Sequence, residues 1–275
     1  MSMLIDLRNE RWFISSLERG LNVINAFSSA KPALAVSEIA KLSGTSRASA
    51  RRIAMTLEAL GYLARSDGNQ YFLTPKTLAL GTAYLSSHGV GDALQPILRR
   101  LRDLSGRSSS ISVLDGEEII YVARASASGP LRVHINVGQR LPAYATAMGR
   151  VLLAALSDQD FEVWLRAARL EPVTEATITE PSKFRAAIET VRADGYCVVE
   201  GELGPGIKVL AVPIVSAQGT TVAALNLTTQ SAFDRERDVV AEFLPEVRRA
   251  AAEISGVWNH LQVRNMRDML DPGPD

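Results

Sequence analysis

Six of the seven residues from Ser46 to Arg52 can act on a polyanion: Ser46, Arg47, Ala48, Ser49, Arg51 and Arg52. An arginine fork donates two hydrogen bonds to guanine O6 and N7, and a small side chain allows close approach to a thymine methyl group. On a helix, Ala48, Arg51, Arg52 and Met55 share one face, and Ala50, Ile53, Leu57 and Leu60 share an apolar one. The polar face suits the major groove of double-stranded DNA. Arg51 and Arg52 would then reach base edges, while Arg47 and Ser49 beside them, and Arg65 further on, would meet phosphates. A second pattern lies in Ala223-Ala-Leu-Asn-Leu-Thr-Thr229. Strand alternation sets Ala224, Asn226 and Thr228 on one face and Leu225 and Leu227 on the other. Polar groups on a mostly apolar strand need partners, which are either neighbouring protein groups or a bound ligand.

Catalytic machinery is not legible. His88, His134 and His260 are far apart in unrelated contexts, and there is no H-E-x-x-H, G-x-S-x-G or P-loop. Gly201-Glu-Leu-Gly-Pro-Gly206 lacks dinucleotide-fingerprint spacing and reads as a turn between strands. Cys197 sits early in an apolar strand and reads as a small buried hydrophobe. Scattered acids keep one alternative open, a small-molecule enzyme with an accessory DNA-binding domain. The expectation is a non-enzyme with no cofactor and no metal.

The elements that must hold the arginines are readable. Ser15-Ser-Leu-Glu18 has the form of a capping box opening a helix to about Phe27. Pro32 breaks it. A second helix runs from about Val36 to Leu42 and ends at Gly44. Thr45-Ser46 can cap a third, which runs to Leu60 and stops at Gly61. Strand-like Tyr62–Arg65 and Gln70–Leu73 flank Asp67-Gly68, a hairpin signal. Helix, helix, tight turn, helix and hairpin make a winged helix-turn-helix. The chain thus divides into an arm at 1–14, a DNA-binding domain at 15–75 and connector helices at 76–105. An effector-binding domain at 106–262 and a tail at 263–275 complete it.

The larger domain mixes strands (Ile111–Leu114, Glu118–Ala123, Leu131–Val137, Tyr196–Glu200, Val209–Val215, Thr221–Thr229) with helices (Ala145–Leu156, Asp158–Ala168, Ser182–Ala193, Asp234–Gln262). Hairpins with segregated helices argue an α+β fold with an antiparallel sheet. Composition agrees with about two domains: 275 residues, 47% hydrophobic and 22% charged. Net charge is zero, but residues 1–76 hold ten basic against six acidic side chains. That asymmetry fits a nucleic-acid reader joined to a control domain. One cysteine fits a reducing compartment, no apolar run approaches a membrane span, and the first residues lack a signal-peptide core. The expected location is the cytoplasm, with no membrane partner.

SSLERGLNVINAF, VSEIAKLSGTSRASARRIAMTLEALGYL and YFLTPKTLALG resemble the DNA-binding half of IclR-family bacterial transcription regulators. VGQRLPAYATAMGRVLLA, GYCVVEGELGPGIKVLAVPI and VAALNLT resemble that family's effector domain, which implies a GAF-like fold. The likeness spans about residues 15–260. PAYATAMGR and EL-x-x-G are most similar to regulators of protocatechuate and 4-hydroxybenzoate catabolism. Ala35 departs from the hydroxyl cap that many relatives carry. The resemblance implies a small organic acid effector and a homodimer or tetramer. It also implies a pocket holding Ala147, Met148, Val209, Asn226 and Thr228. Val199 stands where a relative has an acidic residue. A buried effector carboxylate needs a cation or several donors. Arg132, His134, Arg140 and Arg150 bracket the pocket, His134 being the most adaptable donor. Backbone N–H groups at the start of the 145–156 helix are the alternative.

Overall fold

The computed structural model describes residues 8, 10–28, 31–87, 90–127, 135–230 and 238–260. The chain forms two compact units that divide between Tyr84 and Leu85.

The first unit holds α1 (Ser15–Asn25), α2 (Val36–Ser43) and α3 (Arg47–Ala59), with a small antiparallel sheet. Its strands are β1 (Ala33–Leu34), β2 (Leu63–Arg65) and β3 (Tyr71–Leu73), in the order β1-β3-β2. Val23, Leu34, Ile39, Ala50, Ala54, Leu57, Leu63 and Tyr71 make one core. Three local expectations change. Ser15 is the first helical residue of α1 and Ile14 its uncapped N-cap, so no capping box forms there; Glu18 pairs with Arg8 instead. At α2, Ala35 cannot cap, yet Glu38 still accepts from the Ala35 N–H at 2.9 Å, the reciprocal half of a capping box. On α3, Leu60 is 54% exposed and Ala54 fully buried. The helix ends at Ala59, so Leu60 leaves the apolar stripe. In the hairpin, Ser66 N–H bonds to Gln70 O and Asn69 N–H to Ser66 O, and Asn69 has φ 61°. It is a three-residue loop whose left-handed position falls to Asn69 rather than Gly68.

A 3₁₀ turn at Pro75–Thr77 leads into α4 (Leu78–Ser87), which spans the division, and α5 (Val90–Ser105) opens the second unit. Six antiparallel strands follow: β4 (Ser108–Asp115), β5 (Glu118–Ala125), β6 (Arg140–Pro142), β7 (Cys197–Glu200), β8 (Ile207–Val215) and β9 (Thr221–Gln230). Their order is β6-β5-β4-β9-β8-β7. Helices α6 (Ala147–Ala154), α7 (Asp158–Ala167), α8 (Pro181–Asp194) and α9 (Val239–His260) complete an α+β domain. Most of the expected strand Leu131–Val137 lies outside the described residues, and its last three residues belong to no strand. The sheet is covered on both faces. Ser109 Oγ donates to Leu98 O of α5, whereas Ser112 Oγ, beyond a bulge between Ile111 and Ser112, meets Met148 of α6. One core joins α6, α7 and α8 to Ile119, Tyr121, Val199, Ala211 and Ala224 on the sheet. Alternation leaves the buried Leu225 and Leu227 for the face on which α9 packs.

Gly149 explains how α6 lies where it does. A Cβ there would overlap the backbone of Ala143, so only glycine lets the helix pass over the 3₁₀ turn at Ala143–Ala145.

Candidate functional site

On α3, Ser46 is the N-cap: its Oγ accepts from the Ser49 N–H at 3.2 Å. That bond fixes the start of the helix, and the side chains one and two turns on follow from it. Arg47, Ala48, Arg51, Arg52 and Met55 are exposed, while Ala50, Ala54 and Leu57 anchor the opposite side. The cluster is therefore presented to solvent as one face. Arg65, on β2, lies 3.7 Å from Glu58 and donates to Asn69 Oδ1 at 3.4 Å. Such a surface pair contributes about 0–1 kcal/mol, little enough for a phosphate to displace.

In the second unit a mostly apolar cavity of about 140 Å³ opens between the sheet and α6. Ala147, Met148, Val209, Asn226 and Thr228 all line it, as does Val199. The alternation of β9 puts Asn226 and Thr228 on the face beneath α6. Asn226 is 2% exposed and its Nδ2 donates to Thr228 Oγ1 at 3.4 Å, but among the described residues its Oδ1 has no partner. An unmade hydrogen bond on a buried amide costs about 1–3 kcal/mol, which a ligand donor would restore. At the start of α6, Thr146 Oγ1 accepts from the Gly149 N–H at 2.9 Å. Among the described residues no acceptor reaches the N–H of Ala147 or Met148, so two helix-terminal donors stay free beside the cavity.

Two of the arginines considered for an effector carboxylate, Arg140 and Arg150, are occupied elsewhere. Arg140 binds Asp115 and Glu118, each at 2.6 Å. Arg150 is 4% exposed; its Nη2 meets Glu202 Oε2 at 2.6 Å, its Nε donates to Tyr144 O at 3.0 Å, and its guanidinium lies over the Phe184 ring. Arg132 and His134 lie outside the described residues. Among the described residues, the helix start is the donor set left free of the alternatives considered.

Sequence reasoning missed Tyr121 and Glu202 in the cavity wall. Burial pushes the Tyr121 phenol up to about 12, Arg124 opposing, so it remains a proton donor at neutral pH. Its inward position on β5 was readable from alternation. Glu202 was not readable: an acid in a glycine-rich turn is ordinarily solvated, yet it is 6% exposed. Cys197 is buried, and desolvation raises its thiol to about 12, the reverse of what a nucleophile needs.

Comparison with known proteins gives the family of both units. The IclR helix-turn-helix domain matches residues 16–67 and the bacterial transcriptional regulator IclR C-terminal domain matches residues 82–256. The Pca regulon regulatory protein of Pseudomonas putida is 41% identical over 88% of this chain and 83% of its own. The p-hydroxybenzoate hydroxylase transcriptional activator of Acinetobacter baylyi is 35% identical over 88% of this chain and 91% of its own. The inducer-binding domain of the Acinetobacter transcription factor PobR, solved as a double mutant with 3-hydroxybenzoic acid, superposes with a TM-score of 0.54. It is 34% identical and covers 58% of this chain and 94% of that one. The chain belongs to the IclR family of bacterial transcriptional regulators, and is a DNA-binding regulator with a helix-turn-helix domain followed by the family's C-terminal domain.

Proposed function

We propose that α3 reads a double-stranded operator and that a small organic acid, bound in the cavity beneath α6, controls that reading. The effector is an aromatic acid or a ring-cleavage product. The observation that carries this is the buried, half-satisfied Asn226 amide facing a cavity edged by two free helix-terminal N–H groups. An apolar chamber with a few oriented polar groups is the form of a small-molecule site, and a helix N-terminus favours a carboxylate. Relatives named for p-hydroxybenzoate chemistry, and a domain solved with 3-hydroxybenzoic acid, support an aromatic ligand. His134, close in sequence to the cavity residue Ile135, is a further candidate contact. The regulator works in the cytoplasm, where its DNA is; no helix among the described residues is long and apolar enough to cross a membrane.

One chain carries one recognition helix, so a two-fold operator calls for a homodimer or a pair of dimers. Ligand binding shifts operator affinity only through a preference for one arrangement of the paired DNA-binding domains, typically by about 1–3 kcal/mol. The test is operator affinity with and without aromatic acids, in the wild type and in Asn226→Leu/Thr228→Val. The double variant loses the ligand response and keeps its ligand-free DNA binding. A variant that responds like the wild type places the ligand elsewhere, and a wild type indifferent to every acid refutes ligand control.

A further inference from the structure

A site for organic acids must still choose among them, and the wall opposite in chemistry to the helix start is Glu202. Its side chain is 7% exposed and lines the cavity. Both donors that reach it converge on one oxygen: Arg150 Nη2 at 2.6 Å and the Ile178 N–H at 3.1 Å, each on Oε2. Among the described residues no donor reaches Oε1. A carboxylate is an acceptor only, so the group that completes this oxygen must carry an O–H or N–H. Arg150 cannot turn its charge toward a ligand, because Nε is held by Tyr144 O and the guanidinium is stacked on Phe184. The cavity thus has a donor region at α6 and an acceptor at Glu202. Its volume of about 140 Å³ resembles the roughly 150 Å³ of an engineered apolar cavity that takes benzene. That is room for one six-membered ring.

We propose that Glu202 is the specificity-determining residue of this cavity: through Oε1 it accepts a hydrogen bond from a hydroxyl of a single-ring monocarboxylic acid, and it excludes dicarboxylates. The inference rests on the cavity being the effector site, with the ligand carboxylate at the N-terminus of α6. It divides the aromatic acids from the ring-cleavage products: a second carboxylate would face Glu202, and two carboxylates at close range disfavour joint ionisation. No bond is made or broken; the selection is by hydrogen bonding and like charge alone.

Calorimetry on the full chain at neutral pH tests this with matched probes. These are 3- and 4-hydroxybenzoate, the corresponding methylbenzoates, and benzene-1,3- and benzene-1,4-dicarboxylate. A hydrogen bond to a charged group predicts that the better hydroxybenzoate binds about 10- to 100-fold more tightly than its methyl counterpart. Neither dicarboxylate should match it. Glu202→Gln keeps an oxygen for Arg150 and presents an amide donor to the cavity, so it should admit a dicarboxylate at least about tenfold more tightly than the wild type does. A dicarboxylate that binds the wild type as tightly as the hydroxybenzoates overturns the proposal, as does an unchanged ranking in Glu202→Gln. If Glu202→Gln does not fold, the wild-type ranking decides alone. Binding that survives undiminished in Asn226→Leu/Thr228→Val, or no binding by any probe, refutes instead the reading of the cavity on which this rests.

Discussion

Removing the Arg150 guanidinium puts the buried ion pair to the hardest test. In Arg150→Met the chain keeps a side chain of similar length, but Glu202 loses the donor at 2.6 Å and Tyr144 O loses its partner at 3.0 Å. Glu202 is left with the Ile178 N–H alone, in surroundings where both partners' side chains were no more than 7% exposed. Breaking a buried pair in this way costs about 3–5 kcal/mol, because an uncompensated charge stays behind. Breaking an exposed pair such as Arg185–Glu162 would cost far less, because water solvates the charge left behind. With a urea slope of about 2 kcal/mol/M, the midpoint for the second unit should fall by roughly 2 M. Tryptophan fluorescence reports on that unit, since Trp164 and Trp258 are buried there while Trp12 of the first unit is 64% exposed. Adding Glu202→Leu removes the stranded charge and should recover most of the loss, since replacing both members of a buried pair by apolar groups is often neutral. A loss under about 1 kcal/mol in Arg150→Met, or a double variant no better than the worse single one, would show that the pair is not the desolvated unit described.

Arg51→Ala and Arg52→Ala should each weaken operator binding, by about 1–3 kcal/mol with relaxed base preference where the arginine reads a base. Arg65→Ala should weaken all DNA alike and flatten the salt dependence; affinity and specificity unchanged in both base-reading variants would remove α3 from the groove. Gly149→Ala should prevent the second unit from folding cooperatively, because its Cβ meets backbone rather than a movable side chain; a native-like melting curve contradicts the close approach. Alkaline stability follows from Cys197, raised from 9.0 to about 12 by burial, and Tyr121, raised from 10.0 to about 12. Each unfolded group releases its proton first, so stability is full below about pH 9 and falls as pH rises toward about 12. Urea titrations across that window should show the decline start later in Cys197→Ala; an identical onset means the thiol is not responsible.

The exposed arginine face of α3 was legible because it is local. A serine cap, a 3.6-residue period and a glycine stop lie within sixteen residues, from Ser46 to Gly61, and local rules suffice to orient them. Strand alternation likewise placed Asn226 and Thr228 together, since a period of two holds whatever the sheet order. Ala147, Met148 and Val209 came from family motifs, not from any period. Local rules failed at ends and short pieces. Two-residue β1 and three-residue β6 carry too few positions for a period, and Leu60 escaped its stripe because the helix stops one residue earlier.

Only tertiary structure could decide the polarity of the cavity. Glu202 sits in a turn between β7 and β8, and Arg150 on α6, 52 positions earlier in the chain, so no local pattern couples them. Strand pairing and the glycine that lets α6 lie against Ala143 bring the two together out of water. Desolvation then makes the pair obligatory, which commits Arg150 to Glu202 and away from the cavity. The sequence alone determines which residues carry charge and which faces are apolar. Which charge stays free for a ligand depends on which others are buried against it, and that is settled by packing between distant segments.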